Sequence, residues 1–350
     1  MAIKDNTSNL QNVLNIVNNL SKPFDDATAT VNDVLNGKTV YVSIGKIVGI
    51  HLCRSDGDSF VDGTMTELSN DKITIVASSV FSGYTSLTTV SLPKATTIGS
   101  YAFDTCTNLT SVSLPVVTTI GNYAFDTCTS LTSISFPVIT SIGDAAFCSC
   151  ASLTTINLPS ATTIGDGAFQ SCYSLPIVNL PVATSIGGWA FGYCSSLTSV
   201  SLPKATTIGN YAFTRCTSLE SISLPAVTSI GFGVFQGCSN LTSVSLPAVT
   251  VIDGVDAGVL AYGAFAGCKN LTTINLPVIT SIGDHTFEYC TNFTSLYLTG
   301  SSFCTLGGSS AFYSTPIASG TGSIYVPSSL VASYKTATNW TYFSNCIYGV

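Results

Sequence analysis

The chain has 350 residues and a formal net charge of −7, with only 11 lysine and arginine residues. Charged residues make up 8% of the chain, against about 25% in an average domain, so the sequence has no basic stripe for a phosphate backbone. No apolar run approaches the length of about 18 residues that a membrane-spanning helix needs. We therefore expect neither nucleic-acid binding nor membrane insertion.

Residues 1–23 are predicted to form an amphipathic N-terminal helix. They lack the basic start and the long apolar core of a secretory signal. Their apolar residues follow the 3-4-3 spacing of a coiled-coil seam: Leu10, Val13, Val17 and Leu20. Two interpretations remain open. The helix docks on the first repeat, or it serves attachment or oligomerisation by binding a second copy of the chain or the proteins of a virion.

Residues 24–64 are interpreted as a polar linker followed by an N-terminal cap. The stretch from Thr39 to Leu52 is rich in Val, Ile and Tyr, which predicts strands that cover an apolar end. A repeat protein needs such a cap because an uncovered terminal repeat would expose its core.

Residues 65–312 contain a repeat of 22 residues in which leucine, phenylalanine and cysteine return at fixed positions. One insertion, within Asp253 to Ala261, lengthens a single repeat by eight residues before the pattern resumes. A fixed period in this range is typical of a solenoid, whose units bury their apolar faces only against their neighbours. The phenylalanines show the register: Phe103, Phe125, Phe147, Phe169, Phe191, Phe213 and Phe235.

The unit that begins at Leu197 shows what each repeat is predicted to form. Apolar residues alternate with Ser within residues 197–202 and predict a short strand with one buried face, which Pro203 ends. Ala212, Phe213 and Cys216 have the spacing of a single helical or 3₁₀ turn with one buried side. Equivalent strands of adjacent repeats would stack in parallel about 4.8 Å apart. The predicted fold is an α/β repeat, a curved rod of short parallel strands with short helical turns, capped at both ends.

The first repeat is irregular, because Met65 stands where later repeats have leucine. Its predicted inward residues are Leu68, Ile73, Val76, Val80, Phe81 and Tyr84.

Residues 313–350 are predicted to form a C-terminal cap. Ile324 to Pro327 predicts a last strand, and Ser328 to Lys335 a short helix with Ser as its N-cap. Bulky residues would then form a lid over the last repeat: Trp340, Tyr342, Phe343 and Ile347.

Nine of the 13 cysteines stand at one repeat position, and we interpret them as reduced, buried thiols. Stacked parallel side chains have the wrong relative direction for a disulfide. The others show neither a CxxC spacing nor a zinc signature: Cys53, Cys148, Cys304 and Cys346.

No catalytic or metal site is predicted. The two histidines, His51 and His285, have no concentration of partner residues around them in the sequence, and no nucleophile elbow or phosphate-binding glycine loop occurs. The acidic stretch at Asp56 to Gly63 resembles a calcium loop but has Phe60 where an oxygen ligand belongs. We expect no enzyme activity and no cofactor.

Variation between repeats is concentrated just before and after the Ala-Phe pair. Stacking of the repeats would gather Trp189, Tyr193, Tyr211 and Arg215 into one exposed cluster, and these residue types anchor interfaces. Aromatic faces also suit sugar rings. The alternative interpretation is that these side chains only cover the edge of the core.

The inserted loop is a second candidate binding site, with Asp253 and Asp256 as its acidic residues. Insertions confined to one repeat often lie on a binding face. The alternative is tolerated variation of the surface.

The repeat Leu-x-x-Ile/Val-x-Leu-Pro-x-Ala/Val-Thr-x-Ile-Gly-x-x-Ala-Phe-x-x-Cys resembles the BspA-like leucine-rich repeat family of bacterial surface proteins. This resemblance covers residues 65 to about 312 and implies adhesion without catalytic residues. Residues 1–20 are similar, over a shorter stretch, to the start of leucine-rich repeat proteins from phage and prophage tail regions.

The sequence therefore predicts a non-catalytic recognition or adhesion protein that presents a repeat surface to a protein or carbohydrate on a cell surface. Two contexts fit it, a bacterial surface adhesin and a phage tail-associated receptor-binding protein. The location would then be the virion, or the cell surface by a non-standard route, since no signal peptide or anchor occurs. The alternative is a structural or assembly scaffold of a phage particle or intracellular complex.

Overall fold

The computed structural model describes residues 65–71, 73–254 and 263–350. The sequence predictions for residues 1–23 and 24–64, and for Asp256, His51 and Cys53, lie outside the described residues. The described chain forms a solenoid of parallel strands in which most turns contribute one strand of three residues and one of two. This is the predicted leucine-rich repeat solenoid, and the parallel stacking at a step of 22 residues is confirmed.

The strands of the first series carry one inward residue between two outward ones in most turns. Their bounds are β1 Glu67–Ser69, β3 Thr89–Ser91, β5 Ser111–Ser113, β7 Ser133–Ser135, β9 Thr155–Asn157, β11 Ile177–Asn179, β13 Ser199–Ser201, β15 Ser221–Ser223, β17 Ser243–Ser245, β19 Thr273–Asn275, β21 Ser295–Tyr297, β23 Ser323–Val326 and β24 Ile347–Gly349.

The strands of the second series end on the inward residue before the glycine position. Their bounds are β2 Ile75–Val76, β4 Thr97–Ile98, β6 Thr119–Ile120, β8 Ser141–Ile142, β10 Thr163–Ile164, β12 Ser185–Ile186, β14 Thr207–Ile208, β16 Ser229–Ile230, β18 Val251–Ile252, β20 Ser281–Ile282 and β22 Thr305–Leu306.

Pro176 explains a break in the sheet of the first series between β9 and β11. At the equivalent position Thr154 donates its amide to the Thr132 carbonyl (2.9 Å), and Thr198 donates to the Pro176 carbonyl (2.9 Å). Proline has no amide hydrogen, so one bond of the ladder is missing at this turn. The solenoid continues through the break because the core beneath it is uninterrupted.

That core is a ladder of stacked phenylalanine rings. Ring centroids of successive turns lie between 5.1 and 5.9 Å apart, with ring planes within 19° of parallel. Phe235 and Phe265 stack at 5.2 Å across the inserted loop, so the insertion leaves the core in register. The ladder comprises Phe81, Phe103, Phe125, Phe147, Phe169, Phe191, Phe213, Phe235, Phe265, Phe287 and Phe312.

The segment before each cysteine is a run of β-turns rather than the predicted helical or 3₁₀ turn. In one turn the Ala102 amide donates to the Gly99 carbonyl (3.3 Å) and the Cys106 amide to the Phe103 carbonyl (3.2 Å). The third residues of these turns, Tyr101 and Thr105, both have φ of 58°. A positive φ at the third residue is what a type II turn requires, and it stops a helix from forming.

Close approach of successive turns explains the glycine that follows each second-series isoleucine. A Cβ on Gly209 would lie 2.3 Å from the Gly188 amide nitrogen, which no real side chain allows. Asp253 replaces this glycine in the single turn that carries the insertion.

At the C-terminal end, β23 and β24 extend the first-series sheet, and residues 331–336 form a short α-helix, α1 (Val331–Thr336). Three 3₁₀ helices also lie in this region, Ser309–Phe312, Ser328–Leu330 and Trp340–Cys346. Trp340 is fully buried, and its Nε1 donates to the Cys304 carbonyl (2.9 Å). The role of residues 313–350 as a cap stays a prediction.

Three residue-level predictions are wrong. Val80 is 41% exposed rather than inward, and Tyr342 is 71% exposed rather than part of a lid. Both lie in irregular parts of the chain, where neighbouring repeats do not fix which side faces the core. Ser328 is not a helix N-cap, since its hydroxyl donates instead to the Val350 carbonyl (3.3 Å).

Candidate binding surface

Two rows of left-handed residues run along the turn side of the solenoid. One row occupies the position two residues before each core phenylalanine, and the other the position two residues after it. From residue 101 to residue 289, the members of the two rows that are named next have φ between 50° and 74°. The first row is Tyr101, Tyr123, Ala145, Gly167, Trp189, Tyr211, Gly233 and His285, and the second is Thr105, Thr127, Ser149, Ser171, Tyr193, Arg215, Gly237, Gly267 and Tyr289.

The predicted cluster is assembled by these two rows. We call Trp189, Tyr193, Tyr211 and Arg215 the aromatic turn cluster. The Trp189 and Tyr211 rings stack at 4.5 Å between centroids, and the Trp189 and Tyr193 rings are near-parallel at 6.0 Å. The Arg215 guanidinium carbon lies 5.8 Å from the centre of the Tyr193 ring, within the range of a cation–π contact. All four side chains are partly or fully exposed.

Glycines beside the cluster provide the space that its large side chains occupy. A Cβ on Gly233 would lie 2.3 Å from the Tyr211 ring, and a Cβ on Gly237 would contact the Arg215 side chain at 3.4 Å. Gly192 likewise lies under the Trp189 ring, at 3.2 Å from a Cβ built there. The cluster is therefore built by large residues in two turns and small residues around them.

A second aromatic pair lies on the first row, at Tyr101 and Tyr123. The two rings stack at 4.8 Å with an interplanar angle of 2°, and both side chains are exposed. The sequence comparison of the repeats placed both residues at a variable position, but it did not single them out as a pair. Two tyrosines one repeat apart at an outward position are the signal that could have found them.

Asparagine and aspartate form a ladder immediately before the first row. The Asn122 side chain accepts from the Asp144 amide (2.9 Å), Asp144 from the Asp166 amide (2.9 Å), and Asp166 from the Gly188 amide (2.7 Å). These side chains thereby hold successive turns together while remaining exposed. Asp126, half-buried on the other side of the row, has its pKa raised by burial and by the negative charge of Asp104.

The sequence matches BspA-type leucine-rich repeat regions over residues 59–176, 162–255 and 256–346, with six copies of the family's unit. The chain belongs to the BspA-type leucine-rich repeat family. The leucine-rich repeat fold is typically non-catalytic. No curated protein sequence matches that of this chain.

Solved structures similar to this BspA-type chain include bacterial leucine-rich repeat proteins. A protein from Bacteroides ovatus is 21% identical, with 86% of this chain and 97% of that chain covered and a TM-score of 0.43. A leucine-rich cell surface protein from Faecalibacterium prausnitzii is 22% identical, with coverages of 78% and 86% and a TM-score of 0.33. The pneumococcal vaccine antigen PcpA is 16% identical, with coverages of 79% and 85% and a TM-score of 0.42.

His285 lies in the first row of this BspA-type chain, between two carboxylates. Its Nδ1 lies 2.9 Å from Glu288 Oε2, and its Nε2 lies 3.6 Å from Asp284 Oδ2. Asp284 Oδ1 is buried without a hydrogen-bond partner. Within residues 65–71, 73–254 and 263–350, no three His, Cys, Asp or Glu side chains are grouped closely enough to bind a metal ion.

Asp253 is not part of the aromatic turn cluster. Its amide donates to the Ile230 carbonyl (2.8 Å), and in the described part of the chain no hydrogen bond or ion pair joins its side chain to the cluster. Asp256, the other acidic residue predicted for the inserted loop, lies outside the described residues. A binding role for the inserted loop therefore stays a prediction.

The same described residues contain no helix that is long and apolar enough to cross a bilayer.

Proposed function

We propose that this chain is a recognition protein without catalytic activity, and that it presents the aromatic turn cluster to a protein or glycan on a cell surface. It would act as a bacterial surface adhesin or as a phage tail-associated receptor-binding protein. Attachment to itself or to virion proteins through Leu10, Val13, Val17 and Leu20 remains part of the same proposal.

The observation that carries this proposal is the presence of large side chains in left-handed backbone. This conformation costs a residue other than glycine about 1 kcal/mol or more. An aromatic stack such as Trp189 on Tyr211 contributes about 0.5–1.5 kcal/mol. The cost of the left-handed backbone and the gain from stacking nearly cancel. The stability of the fold therefore gives little reason for Trp or Tyr at positions that Gly167 and Gly233 occupy in neighbouring turns.

Residue chemistry supports recognition over surface coverage. Trp, Tyr and Arg dominate the binding energy of protein interfaces, and four such residues converge here within two turns. The alternative is a scaffold that binds its partner through the strand face. In that case the four clustered side chains would have no role in binding.

Glycine substitution separates recognition from folding. Trp189→Gly with Tyr193→Gly keeps a backbone that the chain already forms with glycine at Gly167 and Gly237. We expect the free energy of unfolding to change by about 1 kcal/mol or less per site. Binding of the labelled protein to glycan arrays and to bacterial and host cell surfaces should fall by about tenfold or more.

Tyr342→Ala is the matched control, because Tyr342 is an exposed aromatic residue far along the chain from the cluster. Its surface binding should equal that of the unaltered protein. Equal binding by the double glycine variant would exclude the aromatic turn cluster as the recognition site.

A further inference from the structure

Between the two aromatic pairs, the first row contains only Ala145 and Gly167. We call the space above these two residues, from the Tyr123 ring to the Trp189 ring, the three-turn slot. Three steps of the solenoid, at about 4.8 Å each, separate the two rings by about 15 Å. The second row contributes Ser149 and Ser171 to this space. The Gln170 side chain also lies in it, over Gly167, with its Oε1 3.3 Å from where a Cβ of residue 167 would be.

Both walls of the slot are aromatic rings with one face covered. Tyr123 is stacked on its far side by Tyr101, and Trp189 on its far side by Tyr211. Tyr193 has Arg215 against the face that points away from the slot. In the described residues no ring stacks on the faces of Tyr123 and Trp189 that point into the slot. The neighbouring turns on that side have Ala145 and Gly167 at the equivalent position.

Carboxylates surround the slot without cations to neutralise them. Asp144 and Asp166 lie in the ladder beside its floor, and Asp126 flanks the Tyr123 wall. In the described part of the chain none of these three forms an ion pair with lysine or arginine. Asp166 uses Oδ1 to accept from the Gly188 amide, which leaves its second oxygen for a ligand.

We propose that the three-turn slot binds a basic polypeptide segment, with an arginine or lysine side chain stacked on the open face of Trp189 or Tyr193 and paired with Asp166 or Asp144. This inference rests on the proposed function and names the partner chemistry of the same surface. The protein shows the contact once already, since Arg215 stacks on the covered face of Tyr193.

Charge decides between a cationic and a neutral partner. Ring faces attract cations through their quadrupole, and uncompensated carboxylates at the same place add Coulomb attraction that a neutral sugar cannot use. An extended peptide rises about 3.3 Å per residue, so four or five residues would span the slot. A polypeptide can thus place a basic side chain against a wall while its backbone lies over Ala145 and the Gln170 side chain.

The fluorescence of Trp189 gives a direct test on the full chain. The protein has two tryptophans, and Trp340→Phe removes the buried one. In this background we expect a hexaarginine peptide to change Trp189 emission saturably, and added salt to weaken the effect. Hexaglutamate and cellohexaose should leave the emission unchanged.

Two variants tie the response to the slot. Gly167→Tyr puts a ring where Tyr123 and Tyr211 already occupy the same left-handed position, and the flexible Gln170 side chain that lies over Gly167 would move aside. The new ring should cover the open Trp189 face and weaken hexaarginine binding about tenfold or more. Asp144→Asn with Asp166→Asn keeps the side-chain acceptors of the ladder and should weaken binding similarly. Ser171→Gly, which leaves the ring faces open, should bind like the parent.

The outcomes separate this inference from the function on which it rests. Saturable binding of cellohexaose but not hexaarginine, or hexaarginine binding that both slot variants retain, would overturn the basic-peptide assignment. Recognition through the aromatic turn cluster would still stand if Trp189→Gly with Tyr193→Gly abolished cell-surface binding. If that variant also bound normally, the proposed function itself would fail.

Discussion

Phe191 and Trp189 are two residues apart in the chain and lie on opposite sides of the same turn. Phe191 is fully buried, with ring neighbours Phe169 at 5.5 Å and Phe213 at 5.7 Å. Trp189 is partly exposed in left-handed backbone. At the scale of single residues, packing in the core requires the phenylalanine at position 191. Position 189 lies outside the core, and it is there that we propose recognition.

Phe191→Ala should lower the free energy of unfolding by about 3–5 kcal/mol, because it removes buried apolar surface and leaves a cavity within the ring ladder. Chemical denaturation of the full chain measures this, with Tyr342→Ala as an exposed aromatic control that should change little. An unfolding midpoint equal to that of the unaltered protein would contradict the inward ladder.

The thiols of the cysteine ladder should be unreactive in the folded protein. Each donates its S–H to the phenylalanine carbonyl of the preceding turn, at 3.0–3.3 Å. Burial raises the pKa of Cys106, Cys194 and Cys238 to about 12. Because the thiolate is the reactive form, little of it exists near about pH 8.

A thiol-disulfide reagent at about pH 8 tests this in a Cys53→Ser protein. We expect the ladder thiols to react only after unfolding, and half-buried Cys148 to be the most reactive thiol of the folded repeats. Rapid reaction of several ladder thiols without unfolding would contradict the buried, hydrogen-bonded arrangement.

The inward residues of the regular repeats could be predicted because leucine, phenylalanine and cysteine recur at the same step. The left-handed rows could not, since Trp, Tyr and Arg rarely adopt positive φ. The only sequence signal for left-handed backbone at these positions was the occurrence of glycine there in other repeats, such as Gly167 and Gly237.

At the scale of elements, threonine hydroxyls connect consecutive turns outside the core. Thr162, Thr184 and Thr206 each donate to the backbone carbonyl of the threonine one repeat earlier, at 3.0–3.4 Å. All three side chains are exposed. Their structural bonds were missed, although threonine at a fixed position was the available signal.

Replacing these three threonines by valine should lower the free energy of unfolding by about 0.5 kcal/mol each, the low end for a hydrogen bond because the sites are exposed. Valine keeps the branched shape and strand preference. The matched serine variants retain the hydroxyl and should lose less than the valine variants. Equal losses in both series would show that shape, not the hydroxyl bond, stabilises the ladder.

At the scale of the whole molecule, the repeat period alone predicted the solenoid, because identical spacing forces identical neighbours to stack. It also predicted that Trp189, Tyr193, Tyr211 and Arg215 meet. It could not reveal the three-turn slot, since an opening depends on which ring faces remain uncovered. The helix of residues 1–23, the caps and the inserted loop stay predictions.

Hydrogen exchange of the full chain, alone and saturated with the partner that the cell-surface screen identifies, tests most directly which face of the solenoid binds. The proposed function predicts added protection at the turns of residues 187–194 and 209–216, around the aromatic turn cluster. Protection confined to the first-series strands, such as β13 and β15, would contradict it and would favour a scaffold that binds through its strand face.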